Sequence, residues 1–525
     1  MRRVPLVVLT VLTVLHLGLA LHANDGHFVY ALDDPYIHLD LADQLFRTGV
    51  YGVNPHEVAS PSSSILWPFL LGIGVGTRVH LFVPFVLAFA AACAAAELLV
   101  RACDRIVPRA RSPLLATYFV VALNLPMLVL TGMEQTLQIA LTVAAVIAFV
   151  RVHEGKAPPR WSWAVIFFAP LVRYECVLVS GALLLAFARR GHFRRAFATG
   201  VAIVAALGAF SVYLVSLGLD VLPSSTIVKK LQFETGAYWD FLVKPLRYLF
   251  VNPLLVVLLG VAAVAAWRAV RERARDASAA WIDATLAGML VVYFFVGRFG
   301  ALQFIRYEAF LAAFLLLVAG WAWRESLASL PETRPGRIVL LLAAVMAVAP
   351  GAWNTRFAQG SLRAIYLQQF QMSRLAKDYL RANVAVHDIG LVGYRNPNEV
   401  LDVFGLADRN ARELRFAAER HPAEHPHWMA DLVRAHGSKL VMVYRSWFPD
   451  VDRVGLVPVG ELWRSPPGMT TLGDDSVIFL APDAATADEI RPALDAWAKT
   501  LPRGARFDAY DAAHPAPADA ALAVR

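Results

Sequence analysis

From Val4 to Trp353 the chain is a succession of apolar runs divided by short polar stretches. A helix needs about 20 consecutive apolar residues to cross the roughly 30 Å hydrocarbon core of a bilayer. Residues 4–21, 81–100, 196–217 and 248–267 meet or approach that length. In lipid every backbone amide and carbonyl must be bonded within the chain, so such runs are predicted to be helices packed in a bundle. Hydrophobic residues make up 58% of the chain and charged residues 17%, whereas soluble domains carry about 25% charge.

Arginine orders these runs. Arg101, Arg105, Arg109 and Arg111 fill one gap, Arg189, Arg190, Arg194 and Arg195 another, and Arg268, Arg271, Arg273 and Arg275 a third. Basic clusters in alternate gaps mark the cytoplasmic side. The net charge of +8 is therefore read as topology rather than as a nucleic-acid footprint. Residues 64–74 are too short to span and read as a juxtamembrane piece, and 161–171 with 176–187 read as a hairpin. About eleven membrane segments follow, with a cytoplasmic N-terminus, a multi-pass course and a bacterial inner-membrane setting. Cys93, Cys103 and Cys176 lie in or beside apolar runs and suggest neither disulfides nor zinc.

With that parity the loop 22–64 falls outside, and it carries Asp33-Asp34-Pro35-Tyr36-Ile37-His38-Leu39-Asp40. Adjacent carboxylates beside a bilayer are expensive and mark a functional site. Arg173, Lys229, Lys230, Arg298 and Arg306 fall at the same face. A carboxylate there can take a proton from a hydroxyl. Arginine can grip a phosphate with a bidentate fork, and lysine as a point charge. Together they suit displacement of a sugar from a lipid phosphate. Asp33 and Asp34 are the candidate bases, and Arg173, Lys229, Lys230, Arg298 and Arg306 the donor-phosphate contacts. His38, Glu134 and Glu175 are further substrate contacts. Ordinary readings stand beside these. Asp-Asp-Pro is a common helix start, Arg298 and Arg306 can snorkel, and Lys229-Lys230 can be solvated. Glu134 can cap a helix, and Arg173 can pair with Glu175.

Beyond Asn354 polar residues become frequent. Residues 384–388, 439–444 and 476–480 read as strands, and 361–382 and 427–436 as helices. The organisation expected is a transmembrane catalytic domain over 1–353, a small external α/β domain over 354–507, and a disordered tail over 508–525. The run His421-Pro-Ala-Glu-His425-Pro-His427 has too many prolines for a helical ligand register, and no metal site is assigned to it.

The order of several short motifs carries a resemblance. After Asp33-Asp34 come Gly49-Val50-Tyr51-Gly52-Val53-Asn54-Pro55, then Ser62-Ser63-Ser64-Ile65-Leu66-Trp67-Pro68, then Thr131-Gly132-Met133-Glu134, and later Leu401-Asp402-Val403-Phe404-Gly405-Leu406. This resembles the polytopic GT-C glycosyltransferases that use polyprenyl-phosphate sugars, and in particular their arabinofuranosyltransferase-like branch. The resemblance implies inverting transfer at the outer face onto a cell-envelope glycan or lipid, in cell-wall biogenesis, with a first-loop carboxylate as base. It implies no cofactor beyond the lipid-linked donor, and leaves a divalent metal open. Two positions depart from the family's pattern. Arg173-Tyr174-Glu175-Cys176 stands where Arg-Pro-Glu-Gly is usual, and Leu222-Pro223-Ser224-Ser225 where Leu-Pro-Asn-Thr is usual. The rival readings are a transporter or flippase of a lipid-linked substrate, which needs polar groups at the bilayer midplane, and a non-catalytic envelope protein that binds glycan.

Overall fold

The computed structural model describes residues 1–228, 253–296, 306–329 and 332–510. Lys229, Lys230, Arg298 and the tail from 511 onward lie outside the described residues. The fold is mostly helical. Among the described residues, five stretches are long and apolar enough to cross a membrane: Val4–Ala23, Arg78–Cys103, Gln135–His153, Tyr174–Ser216 and Pro253–Glu272. Ser112–Ala122, Arg160–Val172, Ala277–Tyr293 and Ala309–Ala322 are shorter apolar helices beside them. The stretch 174–216 is not one rod. It turns at Arg190 and Gly191, where Gly191 has φ +88°, so Val177–Phe187 and Phe193–Ser216 are separate helices around the arginine cluster.

Elsewhere the helices depart from the expected runs. The apolar run 114–130 is not one span: Asn124 adopts a left-handed φ of +54° with Pro126 close behind, and splits it into Ser112–Ala122 and Leu125–Leu130. Proline cannot donate to the preceding turn, which is why the break falls there. Residues 361–382 do not form one helix. A single helix runs Arg334–Leu367, through residue 354, ends at Gln368, and is followed by the short helices Gln369–Arg374 and Leu375–Leu380.

The C-terminal part builds a six-stranded mixed sheet from β1 (Val384–Val386), β2 (Val400–Asp402), β3 (Leu440–Val443), β4 (Val457–Arg464), β5 (Ser476–Ala481) and β6 (Ala505–Ala509). The spatial order is β2-β1-β3-β5-β4-β6. β1 runs parallel to β2 and β3, and the remaining pairs are antiparallel. The sequence reading found β1, β3 and β5. It missed β2, only three residues long, β4, which is interrupted by a bulge between Pro458 and Gly460, and β6, a half-exposed edge strand. Side chains alternate across a strand. Accordingly Val384, Val386, Leu440, Met442, Val477 and Phe479 face one core, while Ala385, Val441, Val443, Ile478 and Leu480 face another. The helices Arg409–Arg420 and Trp428–Ala435 contribute Ala411, Met429 and Val433 to the second.

The first core contains Ile37, Val53 and Ala59, all from the loop after the first apolar helix. That loop is thus built into the sheet domain, and burying a side chain such as Ile37 contributes about 1.5–3 kcal/mol. Within the loop, Asp34–Thr48 is helical, with Pro35 in the first turn and Gly49 in the left-handed conformation (φ +78°) closing it. Proline is preorganised for a helix start and glycine for its end.

Candidate functional site

The two adjacent carboxylates have different surroundings. Asp33 occupies the position before the loop helix, but its side chain caps nothing there. It reaches into the C-terminal domain, where Oδ2 accepts from the Gly390 amide at 2.7 Å and Oδ1 from the Leu391 amide at 2.9 Å. Gly390 permits this approach: a Cβ there would fall 2.5 Å from Asp33 Oδ2. Burial, and then the Asp388 carboxylate, push the Asp33 carboxyl well above the usual range against those two amide bonds. Asp33 is 8% exposed.

Asp34 is the first residue of the loop helix, where the helix dipole favours a carboxylate. Its side chain is 43% exposed and Oδ2 accepts from Arg306 Nη1 at 2.8 Å. Arg306 also donates to the Tyr307 hydroxyl at 2.9 Å. The Tyr307 ring centroid lies 4.8 Å from the Arg306 guanidinium carbon and 5.6 Å from that of Arg173, so one ring serves two cations.

Arg173 is buried and engaged by carboxylates. Nη1 donates to Glu134 Oε1 at 2.6 Å, while Nε and Nη2 donate to the two Glu175 oxygens at 3.1 and 2.9 Å. The Glu134 side chain therefore does not cap the helix Gln135–His153, although Glu134 sits at its N-cap position. Gly132, at φ +64°, makes the turn that delivers it, and a Cβ there would meet the Tyr30 ring at 2.5 Å. His38 is buried, with Nδ1 3.2 Å from Ser62 Oγ. The Leu222-Pro223-Ser224-Ser225 segment docks on the first loop, where the Ser224 amide donates to the Ser60 carbonyl at 3.0 Å and the two hydroxyls lie 3.2 Å apart.

A cavity of about 440 Å³ is lined by Asp34, Ser225, His387, Asp388, Arg415 and Trp447, among others, whereas Asp33, His38, Glu134, Arg173, Glu175 and Arg306 do not line it. That volume is in the range of small-molecule sites. The cavity brings together the first loop, the 222–228 segment and the sheet domain. His387 is buried against Tyr444, with ring centroids 3.7 Å apart, and its Nδ1 lies 3.0 Å from the Met442 carbonyl oxygen. Its Nε2 makes no hydrogen bond among the described residues and lies 3.4 Å from Asp388 Oδ2. Ser225 Oγ is likewise buried without a hydrogen bond among the described residues. A cavity that holds an exposed carboxylate and two such polar atoms can receive a polyhydroxylated ligand and deprotonate one of its hydroxyls.

The sequence reading missed the C-terminal half of this cavity. It read His387 and Asp388 only as the end of a strand and did not single out Arg415 or Trp447, because only the long-range docking of the first loop places them opposite Asp34. Among the described residues, no group of three or more His, Cys, Asp or Glu side chains is placed to hold a metal ion. His425 instead lines a second cavity.

Residues 362–497 match a family model described as Domain of unknown function (DUF8728). No curated protein matches the chain. Among solved structures, the chain is similar to the Archaeoglobus fulgidus oligosaccharyltransferase with a tethered acceptor peptide, at 11% identity and a TM-score of 0.49, over 97% of this chain and 76% of that one. It is also similar to ArnT from Cupriavidus metallidurans bound to undecaprenyl phosphate, at 12% identity and a TM-score of 0.47, over 91% of this chain and 98% of that one. Overlaps this loose match no residue here to a residue there. The fold and site together define a polytopic helical protein whose first loop is built into a C-terminal α/β domain.

Proposed function

We propose that this chain is an integral membrane glycosyltransferase of the GT-C type. It moves a sugar from a polyprenyl-phosphate donor to an envelope glycan or lipid on the outer face, with Asp34 as general base. The observation that carries this reading is the placement of Asp34: half exposed, at a helix start, in a cavity whose other walls come from the sheet domain. In the proposed step an acceptor hydroxyl oxygen attacks the anomeric carbon while Asp34 takes its proton. The bond from that carbon to the phosphate oxygen breaks, and the lipid phosphate leaves with the electron pair. Configuration at the anomeric carbon is inverted.

Arg306 orients Asp34 in this reading. It is also the cation best placed to turn to the departing phosphate, since a guanidinium binds phosphate as readily as carboxylate. Arg173 positions Tyr307 from behind and carries its own charge balance in Glu134 and Glu175. Lys229, Lys230 and Arg298 stand as proposed donor contacts on their sequence position alone. Asp33 serves as a positioning residue that holds the loop against the sheet domain.

The test is transfer in isolated membranes supplied with a radiolabelled polyprenyl-phosphate sugar pool. Wild-type membranes should move label from the lipid phase to the polysaccharide fraction. Asp34→Asn should not, at equal protein level. Equal transfer by Asp34→Asn would refute the assignment.

A further inference from the structure

The cavity at Asp34 does not stand alone. A second cavity, of about 310 Å³, lies wholly in the C-terminal domain, and the two share Arg415, Glu419 and Trp447 as a common wall. The second cavity is lined by Trp428, Phe448 and His425, with Asp450 and Arg453 exposed at its edge. Trp428 is half-buried, with its ring centroid 6.3 Å from that of Phe448. In the wall, Arg415 is 4% exposed, its guanidinium carbon 4.1 Å from the Phe404 ring centroid. Its Nε makes no hydrogen bond among the described residues and pairs with Glu419 only at 3.4 Å.

A partly exposed tryptophan beside carboxylates and a guanidinium is the chemistry that recognises a sugar ring. The C–H face of a pyranose or furanose stacks on the indole, while its hydroxyls bond to the polar rim. An anionic lipid would need a cationic lining, yet this rim carries Glu419 and Asp450 beside Arg415 and Arg453. A hydrophobic peptide would leave those carboxylates and the buried guanidinium edge without partners.

We infer that the cavity beneath Trp428 is a subsite for the acceptor saccharide, and that a glycan chain lying across the Arg415–Glu419–Trp447 wall presents its terminal hydroxyl to Asp34. This rests on the proposed transferase reading for what happens at Asp34, but the binding itself does not depend on it. The acceptor is then an oligosaccharide that fills both cavities, rather than a single sugar on a lipid.

The experiment uses full-length protein in detergent. The probe is the oligosaccharide mixture released by mild acid from the envelope polysaccharide of a strain lacking this protein, end-labelled with a fluorophore and followed by polarisation. Wild type should bind it. Trp428→Ala should weaken binding by about tenfold or more, the scale of an aromatic anchor. Trp428→Phe, which keeps a ring, should recover most of it, and all variants should match in thermal unfolding. Absence of binding to wild type, or wild-type binding by Trp428→Ala, overturns the subsite. So does a Trp428→Phe variant that unfolds like wild type and binds no better than the alanine variant. Transfer measured in parallel keeps the two ideas apart: an active Asp34→Asn variant sinks the base assignment, whereas the polarisation data alone judge the subsite.

Discussion

Replacing Asp33 by alanine should loosen the first loop from the sheet domain without touching the face of Asp34. The mutation leaves the Gly390 and Leu391 amides, now bonded at 2.7 and 2.9 Å, buried without an acceptor. Each such amide costs about 1–3 kcal/mol. Relief of a carboxyl that burial already pushes upward returns part of this, so the net loss should be about 2–4 kcal/mol. At about 1.4 kcal/mol per tenfold, local opening around residues 390–391 should become roughly 30- to 700-fold more frequent. Asp33→Asn keeps one acceptor oxygen but turns an NH₂ group toward the other amide, and should lose about half as much. Gly390→Ala approaches the same contact from the other side, since its Cβ would fall 2.3 Å from the Asp33 carbonyl oxygen. Hydrogen exchange read by mass spectrometry on detergent-solubilised protein reports on peptides covering 390–391. Wild-type protection in Asp33→Ala would show that the loop is held by other contacts and that Asp33 is free for another role.

Three further outcomes follow from the same geometry. Arg173→Ala leaves Glu134, whose side chain is fully buried, without its guanidinium. The cost should be about 3–5 kcal/mol in thermal unfolding, partly recovered when Glu134→Gln is added, because a neutral amide needs no counter-charge. Arg306→Lys keeps the charge but not the fork that spans Asp34 and the Tyr307 hydroxyl, and transfer should fall by about 10- to 100-fold with the protein still folded. Asp40 lies buried in the loop helix, and burial raises its carboxyl to about 7 against the nearby Lys377 charge. The folded protein then holds this proton more tightly than the unfolded chain, so its contribution is complete below the ordinary carboxylate range and is lost as pH rises through about 7. Lys377, lowered to about 8 by burial, runs the opposite way, and its contribution is lost as pH falls through about 8. Melting temperatures between about pH 4 and about pH 7 should therefore fall more steeply in wild type than in Asp40→Asn, and parallel curves would refute the assignment.

How far the fold could be read from the residues depended on the range of the interaction. Apolar run length located the helices Val4–Ala23, Val83–Cys103 and Phe193–Ser216 to within a few residues, because length and hydropathy are local properties. Single residues with special backbone demands, such as Asn124 before Leu125-Pro126, produced breaks that an apolar average conceals. The acidic pair drew notice for its charge, but nothing local distinguishes Asp33 from Asp34. The difference arises from the amides of Gly390 and Leu391, which are hundreds of positions away in the chain. His387, Arg415 and Trp447 were silent for the same reason, since each is an ordinary strand-end, helix or turn residue until Ile37 and Val53 dock the loop beside them. Arg173, Glu134 and Glu175 were legible as a charged group at one depth. That Glu134 meets Arg173 depends on the turn at Gly132.

The most direct test of the account is envelope glycan composition in a deletion strain complemented with wild type, Asp33→Asn or Asp34→Asn at matched membrane levels. Wild type should restore the missing sugar, Asp33→Asn should restore it in part, and Asp34→Asn should not restore it. Full restoration by Asp34→Asn would contradict the account and leave the cavity as a binding or transport site without a base.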